Sequence, residues 1–315
     1  MEWKNPLANR ILNNDADQFT SDFSIRFRRF IHPLVRSMIH IAVDRPVEVI
    51  QYPKLDKKTA YIFCAGHSFP GEAASNLSVI KHNAWVLFGT TDQIKHNPQV
   101  IIAWMNGLIY VNRLDKNSRK ESMSKMKRIL LAGSSVLMFP EGQLNNSENQ
   151  LCTPVFPGFY HLSNDTGIKC VPIVSHAAHG TKKILVAAGG PMDFSRSSKE
   201  KAMNEMRDAL ASLRYQLIEC LPKLDRSSLT GDIHLQHLQK RRDTYLETKW
   251  SEPNWDEEIM TYKNKRITYA EDVRASFDKV SITTSNANIL SSIFIQRDLD
   301  KIYDINQFMK DHWRD

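Results

Sequence analysis

The chain has 315 residues, of which 42% are hydrophobic, and it carries a formal net charge of +7 with a sequence pI near 9.1. This length and apolar content support one large domain or a domain with an appendage, and the basic balance favours an anionic partner such as a membrane, a nucleic acid or an acidic carrier protein. Nucleic acid is not expected, because no helix-turn-helix, zinc-finger or aromatic RNA-binding signature is present, and no run approaches the roughly 18 uninterrupted apolar residues of a transmembrane helix.

The cysteines and the amino end indicate an intracellular protein. The four cysteines lie far apart and show no metal-ligand spacing; they are Cys64, Cys152, Cys170 and Cys220. This pattern predicts reduced thiols and no bound metal. Residues 1–6 do not resemble a signal peptide. We therefore expect the protein to reside in the cytoplasm.

The amino-terminal 45 residues contain a predicted amphipathic helix. Residues 1–19 are polar and expected to be irregular, whereas residues 23–43 contain no acidic side chain. The apolar residues of this second segment recur at helical spacing and are Phe23, Phe27, Phe30, Leu34, Met38 and Ile41. Its arginines are Arg26, Arg28, Arg29 and Arg36. Pro33 predicts a kink or the start of a second helix.

This combination is typical of a helix that lies in a membrane interface, with its aromatic side in the lipid and its arginines toward the lipid phosphates. We predict that residues 1–45 dock the protein onto an anionic bilayer. The predicted docking residues are Phe23, Arg26, Phe27, Arg29 and Phe30. The alternative is an amphipathic helix packed on the domain's own core. Docking predicts a peripheral protein on the inner face of a membrane.

The segment from residue 61 to residue 72 predicts a catalytic pair. Residues 61–65 have the length and composition of a buried strand, and His67 follows its end. Residues 70–71, Pro-Gly, turn the chain, and Glu72 begins an alanine-rich helix. The turn allows the carboxylate to fold back onto the imidazole, as a general base with an orienting carboxylate requires. The alternative is a surface imidazole beside a helix-capping acid.

Strands and helices alternate from residue 60 to residue 220. Further strands are predicted at 84–88, 107–113, 136–139, 169–175 and 183–188, and helices at 98–106, 117–132, 157–164 and 197–220. Residues 46–58 predict a loop or an edge strand. The alternation predicts an α/β sandwich around a largely parallel sheet. In such sheets reactive groups gather beyond the strand ends, where His67, Arg113 and Glu141 all fall.

Three further blocks follow the His67 segment, and each is a strand with a distinctive end. They are GLIYVNR at 107–113, FPEG at 139–142 and CVPIV at 170–174. In this order the four blocks resemble the glycerolphosphate and lysophosphatidic-acid acyltransferase family, which shows H-x-x-x-x-D, G-x-I-F-I-D-R, F-P-E-G-T-R and an apolar V-P-V/I block. The resemblance covers about residues 60 to 190. It implies an acyltransferase-type sandwich, here as a domain at 46–220, and association with membranes.

The resemblance also implies roles for individual residues. His67 would act as the general base, and Glu72 would orient and stabilise its imidazole. The residues implied at the substrate are Arg113, Asn112, Glu141 and Gly142, of which Arg113 would bind the acceptor phosphate. Val171 and Pro172 would shape the acyl pocket or belong simply to the core.

Three positions depart from the family pattern. Glu72 and Asn112 each stand where the family has aspartate, and Gln143-Leu144 stand where it has Thr-Arg. The last change removes one of two phosphate-binding arginines. It predicts either an acceptor other than a simple glycerol phosphate or a basic residue elsewhere that replaces the lost one.

Together these features predict transfer of a fatty acyl group from acyl-CoA or an acyl carrier protein to a hydroxyl of a lysophospholipid-like or glycerol-phosphate-like acceptor. No cofactor is expected beyond that co-substrate. One alternative is a non-phosphate alcohol or an amine as acceptor. Another, favoured by Glu72 and Leu144, is a catalytically impaired protein that binds lipid or acyl carrier on the same fold. A third is a hydrolase in which the same pair activates water.

The remaining segments carry no assigned role. Residues 221–315 are more polar and predict a small α-rich appendage of unknown function. His161, His176 and His179 show no metal spacing with any acid and are predicted to be ordinary loop or helix residues.

Overall fold

The structure is a computed structural model. It describes residues 6–12, 19–43, 45–68, 71–89, 94–95, 99–112, 115–142, 145, 151–177 and 183–221. The predicted appendage therefore lies outside the described residues, apart from Leu221. The predicted phosphate ligand Arg113 and the departures Gln143 and Leu144 also lie outside them.

The described elements alternate between strand and helix as predicted. The helices are α1 Ala8–Leu12, α2 Asp22–Ala42, α3 Glu72–Val79, α4 Gln99–Asn106, α5 Lys116–Leu131, α6 Gly158–Thr166 and α7 Lys199–Glu219. The strands are β1 Val47–Gln51, β2 Ile62–Ala65, β3 Ala84–Phe88, β4 Leu108–Tyr110, β5 Ser135–Met138, β6 Cys170–His176 and β7 Ile184–Ala188. The short helix α1 falls where irregular structure was expected, because Ala8 and Ile11 are apolar enough to be buried against the core.

The described strands form one sheet of seven, in the order β1-β7-β6-β2-β5-β3-β4. Every neighbouring pair is parallel except β6 and β7. The prediction of an α/β sandwich around a largely parallel sheet is thereby confirmed. β2 lies between β5 and β6, and all three run in the same direction. The residues that follow these three strands therefore meet at one edge of the sheet.

The central strand β2 is buried on both faces, and this explains its continuous apolar run. Ile62 and Cys64 point into a cluster with α5, α6 and α7. Phe63 and Ala65 point into a second cluster with α1, α2, α3 and α4. Full burial of a side chain such as Phe63 contributes roughly 1.5–3 kcal/mol. The sheet is thus fixed between two helical layers, and the end of β2 is held firmly in place.

Helix α2 packs on the domain with one face and exposes an apolar stripe on another. It begins after Ser21, whose hydroxyl accepts a hydrogen bond from the Ser24 amide, and it continues through Pro33, where a second helix was one of the two predicted outcomes. The buried residues are Ser24, Ile25, Arg28, His32, Val35 and Ile39. The exposed apolar residues include Phe23, 79% exposed, and Phe30, 83% exposed. One face of the helix thus packs on the domain's own core, as the alternative predicted, whereas this apolar stripe is exposed and its docking on a membrane stays a prediction.

Three of the four arginines on α2 contact the protein, and for the buried Arg28 this corrects the predicted orientation toward lipid, whereas for Arg29 and Arg36 that orientation stays a prediction. The Arg28 guanidinium is buried 4.4 to 5.2 Å from the ring centres of Phe19, Trp85 and Trp104. Arg29, a predicted docking residue, donates hydrogen bonds to the Ala132 carbonyl and the Ser134 hydroxyl. Arg36 Nε donates to the Ser78 carbonyl at 3.0 Å. For Arg28, the contacts with three aromatic rings and the hydrogen bonds of the guanidinium offset the free-energy cost of removing its charge from water.

Candidate active site

His67 lies two residues beyond the end of β2, and its backbone is held from both sides. Its amide donates to Glu141 Oε1 at 2.8 Å, and its carbonyl accepts from the Asn145 amide at 2.5 Å. The preceding Gly66 is packed so closely that a Cβ there would lie 3.3 Å from Val174 Cγ2. The side chain of His67 is 27% exposed. The imidazole is therefore fixed in position while one of its edges still reaches solvent.

The predicted contact between His67 and Glu72 is present. Nδ1 of His67 lies 3.3 Å from Glu72 Oε2, and the Glu72 side chain is fully buried. Glu72 is the first residue of α3, where a negative charge is favoured by the helix dipole. Its carboxylate folds back over the turn, which Gly71 makes possible by adopting a φ of +93°. The extra methylene of glutamate, relative to the aspartate of the family pattern, is accommodated by this fold-back.

Ser68 completes the turn between the two residues. Its amide donates to Glu72 Oε2 at 2.6 Å, and its hydroxyl lies 3.2 Å from Glu72 Oε1 and 3.3 Å from the Ser175 carbonyl. Because the donors of Ser68 hold both carboxylate oxygens, the oxygen near His67 cannot rotate away. No specific signal in the chain marks Ser68 beyond its place next to the histidine.

The other side of the imidazole is apolar. The Phe139 ring packs against it with 4.4 Å between ring centres and 35° between planes. With Nδ1 directed at Glu72, the proton belongs on Nδ1 and the lone pair on Nε2. Nε2 makes no hydrogen bond with any described residue. This is the tautomer and the open position that a general base requires.

Glu141 lies beneath the histidine and is fully engaged by the protein. Besides the His67 amide, its carboxylate accepts from the Thr153 amide and hydroxyl, each at 2.7 Å. Burial raises the pKa of Glu141, and the hydrogen bonds from Thr153 and His67 and the charge of Arg214 oppose that rise. The predicted contact with substrate is corrected here: Glu141 is a positioning residue, because it is 1% exposed and both oxygens are used.

The other predicted substrate residues are distributed along the sheet edge. Gly142 follows Glu141 with a φ of +70°, and its amide closes a turn onto the Phe139 carbonyl at 2.9 Å. The Asn112 amide donates to the Ser118 hydroxyl at 2.9 Å. Asn112 follows β4, which is three strands from β2, so it lies about 14 Å along the edge from the histidine. Arg113, the predicted phosphate ligand, is outside the described residues.

The two predicted acyl-pocket residues are buried in the sheet. Val171 packs in the cluster beneath α2 and α3. Pro172 pairs with Cys64 of β2, and its ring lies 2.9 Å from where a Cβ on Gly189 would be. Both residues therefore pack between strands and helices, and their role in an acyl pocket stays a prediction.

His176, expected to be an ordinary residue, belongs to the same edge of the sheet. It ends β6, directly after Ser175, whose carbonyl Ser68 contacts. Burial, together with the nearby charge of Arg214, lowers the pKa of His176 to about 4. The ring is therefore neutral at physiological pH. No sequence signal indicated this, because Arg214 lies 38 residues further along the chain on α7.

A family model matches the part of the chain that contains this arrangement. Residues 47–176 match the model described as Acyltransferase, and this range contains His67, Glu72, Glu141 and all four blocks. The chain carries an acyltransferase domain. The resemblance inferred from the four blocks is confirmed, and so is the prediction that the protein is an enzyme that transfers acyl groups.

A solved structure supports the fold of this acyltransferase. The chain is similar to the 1-acyl-sn-glycerophosphate (LPA) acyltransferase PlsC from Thermotoga maritima, with a TM-score of 0.50 and 15% sequence identity. The match covers 62% of this chain and 83% of that one. At this identity the similarity shows a shared fold, and it confirms the acyltransferase-type sandwich. No curated protein matches the sequence.

Two features are absent from the described part of this acyltransferase. Within the described ranges, no group of three or more His, Cys, Asp or Glu side chains could hold a metal ion. Among the helices of those ranges, none is long and apolar enough to cross a membrane.

Proposed function

We propose that the enzyme transfers a fatty acyl group from a thioester, acyl-CoA or acyl carrier protein, to the hydroxyl of a glycerol-phosphate-type acceptor such as a lysophospholipid. The observation that carries this proposal is the contact of His67 Nδ1 with the buried Glu72 carboxylate, inside a matched acyltransferase domain. The similar PlsC structure is that of a 1-acyl-sn-glycerophosphate acyltransferase, which supports the same substrate class. The product would enter phospholipid synthesis.

In this mechanism the enzyme forms no covalent intermediate. Nε2 of His67 takes the proton of the acceptor hydroxyl as its oxygen attacks the thioester carbonyl. When the tetrahedral intermediate collapses, the carbon–sulfur bond breaks and the departing thiolate takes the proton back from the imidazolium. Glu72 holds the imidazole in the required tautomer and stabilises its transient positive charge. Glu141 and Asn145 fix the His67 backbone, so the reacting nitrogen stays in place.

Recognition of the acceptor phosphate is proposed for Arg113, on the resemblance of the GLIYVNR block alone. An arginine suits this task, since its planar guanidinium binds two phosphate oxygens at once. The arginine that the family has in the FPEG-T-R block is replaced by Leu144. We therefore expect weaker binding of a simple glycerol phosphate than of an acceptor that also carries an acyl chain.

The test is a transfer assay with labelled acyl-CoA and labelled acyl carrier protein against a panel of acceptors. His67→Ala should lower kcat by about 10²–10⁴-fold, the usual contribution of a general base. His161→Ala, which changes an exposed histidine on α6, serves as the control and should leave the rate unchanged. Full turnover by His67→Ala would refute the assignment of the base.

Two alternatives predict different products in the same assay. An impaired binding protein would retain acyl donor or lipid tightly and release no acylated product. A hydrolase would cleave the thioester at the same rate with and without an acceptor. A product that requires both the acceptor and His67 excludes both alternatives.

We also propose that α2 docks the enzyme on the inner face of an anionic membrane from the cytoplasm. The exposed stripe of α2 contains Phe23, Phe27, Phe30, Leu34 and Ile41. The exposed Arg26 lies beside this stripe on the helix surface, and the exposed His40 lies roughly 110° around the helix from it. Such a pattern of aromatic residues next to bases is what an interfacial helix needs, with rings in the acyl region and cations at the phosphates.

Replacing Phe27 and Phe30 with serine tests this docking. The double variant should bind anionic vesicles about 100-fold more weakly, since each ring buries apolar area worth roughly 1.5–3 kcal/mol when fully removed from water. Tyr215→Ser is the matched control, because Tyr215 is also an exposed aromatic residue but lies on α7, in the opposite helical layer. Vesicle sedimentation measures both. Binding unchanged in the double variant would end the docking proposal.

A further inference from the structure

Thr153 is a buried residue that lies next to the carboxylate holding His67. It is 6% exposed, and its amide and its hydroxyl both donate to Glu141 Oε2 at 2.7 Å. The other oxygen, Glu141 Oε1, accepts from the His67 amide at 2.8 Å. Because a carboxylate is planar, two donors on one of its oxygens also fix the direction of the other oxygen. Glu141 therefore connects the Thr153 hydroxyl to the backbone of His67.

The hydroxyl of Thr153 matters because Glu141 is a buried acid. A carboxylate that is removed from water is costly unless hydrogen bonds replace its lost hydration. Burial raises the pKa of Glu141, and the Thr153 hydroxyl is the largest of the causes that oppose this rise. A hydrogen bond to an ionised acceptor is also stronger than one between neutral groups. Loss of this hydroxyl would leave the carboxylate less firmly oriented toward the His67 amide.

The segment that carries Thr153 is anchored to helix α7. Arg207 Nε donates to the Cys152 carbonyl at 3.3 Å, and Arg214 Nη1 donates to the Leu151 carbonyl at 3.4 Å. The two arginines are seven positions apart, which is about two turns, so they lie on the same face of α7. Two carbonyls directly before Thr153 are thus held by a helix that packs on the sheet.

The same segment is tied to the turn after β5 at a second point. The Phe156 amide donates to the Pro140 carbonyl at 2.7 Å, three residues beyond Thr153. The backbone on both sides of Thr153 is therefore fixed by contacts that do not involve the Glu141 side chain. Thr153 can hold that side chain in place and does not simply follow its position.

We propose that Thr153 is a positioning residue of this acyltransferase, which orients Glu141 and through it holds His67 where the imidazole meets the acceptor hydroxyl. The proposal rests on the proposed function, in which His67 is the general base. Thr153 itself makes and breaks no bond in the reaction. Its effect belongs in kcat, because a misplacement of a reacting group by about 1 Å can cost on the order of 10²-fold in rate.

The decisive variant is Thr153→Val, because it removes the hydroxyl and keeps the shape of the side chain. It should lower kcat about tenfold and leave KM for donor and acceptor unchanged. Thr153→Ser restores a hydroxyl and should keep kcat within about twofold of the wild type. Thr59→Val is the matched control, since the exposed Thr59 hydroxyl also donates to a carboxylate, that of Asp56 at 2.8 Å, before the start of β2. It should leave both constants unchanged.

The His67 amide reports the orientation of Glu141 without any substrate. In protein labelled with ¹⁵N-histidine, its resonance is the one missing from His67→Ala. A hydrogen bond to a carboxylate shifts an amide proton downfield, so this resonance should move upfield in Thr153→Val and stay in place in Thr153→Ser and Thr59→Val. An unchanged or downfield-shifted resonance, a wild-type kcat, or a loss confined to KM in Thr153→Val would overturn the proposal.

Arg207→Gln tests the anchor on α7 and replaces Thr153→Val if that variant does not fold, since Arg207 is exposed. It should lower kcat several-fold and shift the His67 amide resonance upfield. Lys199→Gln, which changes an exposed base on the same helix, should match the wild type. Wild-type values in Arg207→Gln would overturn the anchoring by α7. A wild type that acylates no acceptor would refute the proposed function, and the His67 resonance would still decide whether Thr153 positions this histidine.

Discussion

Glu72 is the residue that most directly determines the geometry of the catalytic pair. Its carboxylate accepts two hydrogen bonds from Ser68 and lies 3.3 Å from His67 Nδ1. Removal of the charge would leave the backbone turn in place but change what the imidazole faces. An amide could present its NH2 group to Nδ1, which would stabilise the wrong tautomer and direct a proton toward the acceptor hydroxyl.

Glu72→Gln should therefore lower kcat by about 10²–10⁴-fold and change KM for the acyl donor little. Glu72→Asp should fall between the wild type and Glu72→Gln, because the carboxylate survives but is one methylene further from the imidazole. Steady-state kinetics with a soluble acceptor provides both constants. Near-UV circular dichroism serves as the folding control. A loss that appears in KM and not in kcat would mean that Glu72 binds substrate and does not orient the base.

His176 gives the protein a defined dependence of stability on pH. The pKa of His176 is lowered to about 4 in the folded chain, whereas an unfolded histidine titrates near pH 6.5. Between these values the unfolded chain binds a proton that the folded chain does not, so acid favours unfolding. The free energy of unfolding is therefore not reduced by His176 above about pH 6.5, and it decreases as the pH falls from 6.5 toward 4.

His176→Gln should remove this dependence. As the pH falls from about 6.5 to 4, the wild type should lose roughly 3 kcal/mol of unfolding free energy relative to the variant. Urea denaturation at a series of pH values measures the difference. His161→Gln, at an exposed position on α6, should keep the wild-type profile. Parallel curves for the wild type and His176→Gln would show that the ring is protonated in the folded protein as easily as in the unfolded one.

The sequence reveals a site residue when its partner is close in the chain. His67 and Glu72 are five positions apart, and the strand, turn and helix between them could all be predicted from local composition. Glu141 could not be placed in this way, because its partners are the backbone of His67, 74 residues earlier, and Thr153, 12 residues later. A motif identified the residue, but long-range packing decided that its carboxylate holds the histidine.

At the scale of elements, α2 is fixed to the domain by a buried cation. The Arg28 guanidinium lies 4.4 Å from the ring centre of Phe19 and within 5.2 Å of two tryptophan rings, and Nε donates to the Trp104 carbonyl at 3.3 Å. A desolvated cation over an aromatic face is worth up to about 2 kcal/mol. Because Trp104 belongs to α4 and Trp85 to β3, this contact joins α2 to α4 and to the sheet.

Arg28→Met should destabilise the protein by about 1–3 kcal/mol, since it keeps the aliphatic packing and removes the cation and its hydrogen bonds. Arg28→Lys should also be destabilising, because an ammonium lacks the planar face that stacks on rings. Arg26→Gln is the matched control: it alters an exposed arginine of the same helix and should change stability by less than about 0.5 kcal/mol. Urea denaturation provides all three values. A neutral Arg28→Met would mean that the rings hold α2 without the cation.

The periodicity of α2 predicted the helix but not the environment of every residue on it. The apolar stripe was found by its spacing, and it is exposed as an interfacial helix requires. Because all four basic residues are arginines, composition alone predicted the same lipid-facing environment for each of them. Their positions around the axis differ, however, and Arg28 falls on the same face as Val35 and Ile39, which are buried. Only the partners supplied by other elements show which arginines leave the solvent.

At the scale of the whole molecule, the fold brings the His67–Glu72 pair close to the helix that exposes the apolar stripe. The alternation of strands and helices predicted a largely parallel sheet, but not the strand order or the antiparallel pairing of β6 with β7, which depend on contacts between distant segments. In that order, α3 begins at the catalytic pair and packs along α2. The helix that exposes the stripe is thus one layer away from His67.

The proposed docking of α2 predicts that its exposed stripe matters only for acceptors that reside in a membrane. The variant with Phe27→Ser and Phe30→Ser should transfer acyl groups to a monomeric short-chain acceptor in solution at the wild-type rate, because neither ring contacts the catalytic pair. On a long-chain lysophospholipid presented in anionic vesicles, kcat/KM should fall by about 10–100-fold, in proportion to the enzyme lost from the surface. High vesicle concentrations should recover much of the rate, because a larger fraction of the variant is then bound. An equal loss of rate on both acceptors would show that α2 supports the active site itself. If the double variant matches the wild type on both acceptors, the enzyme takes its acceptor from solution.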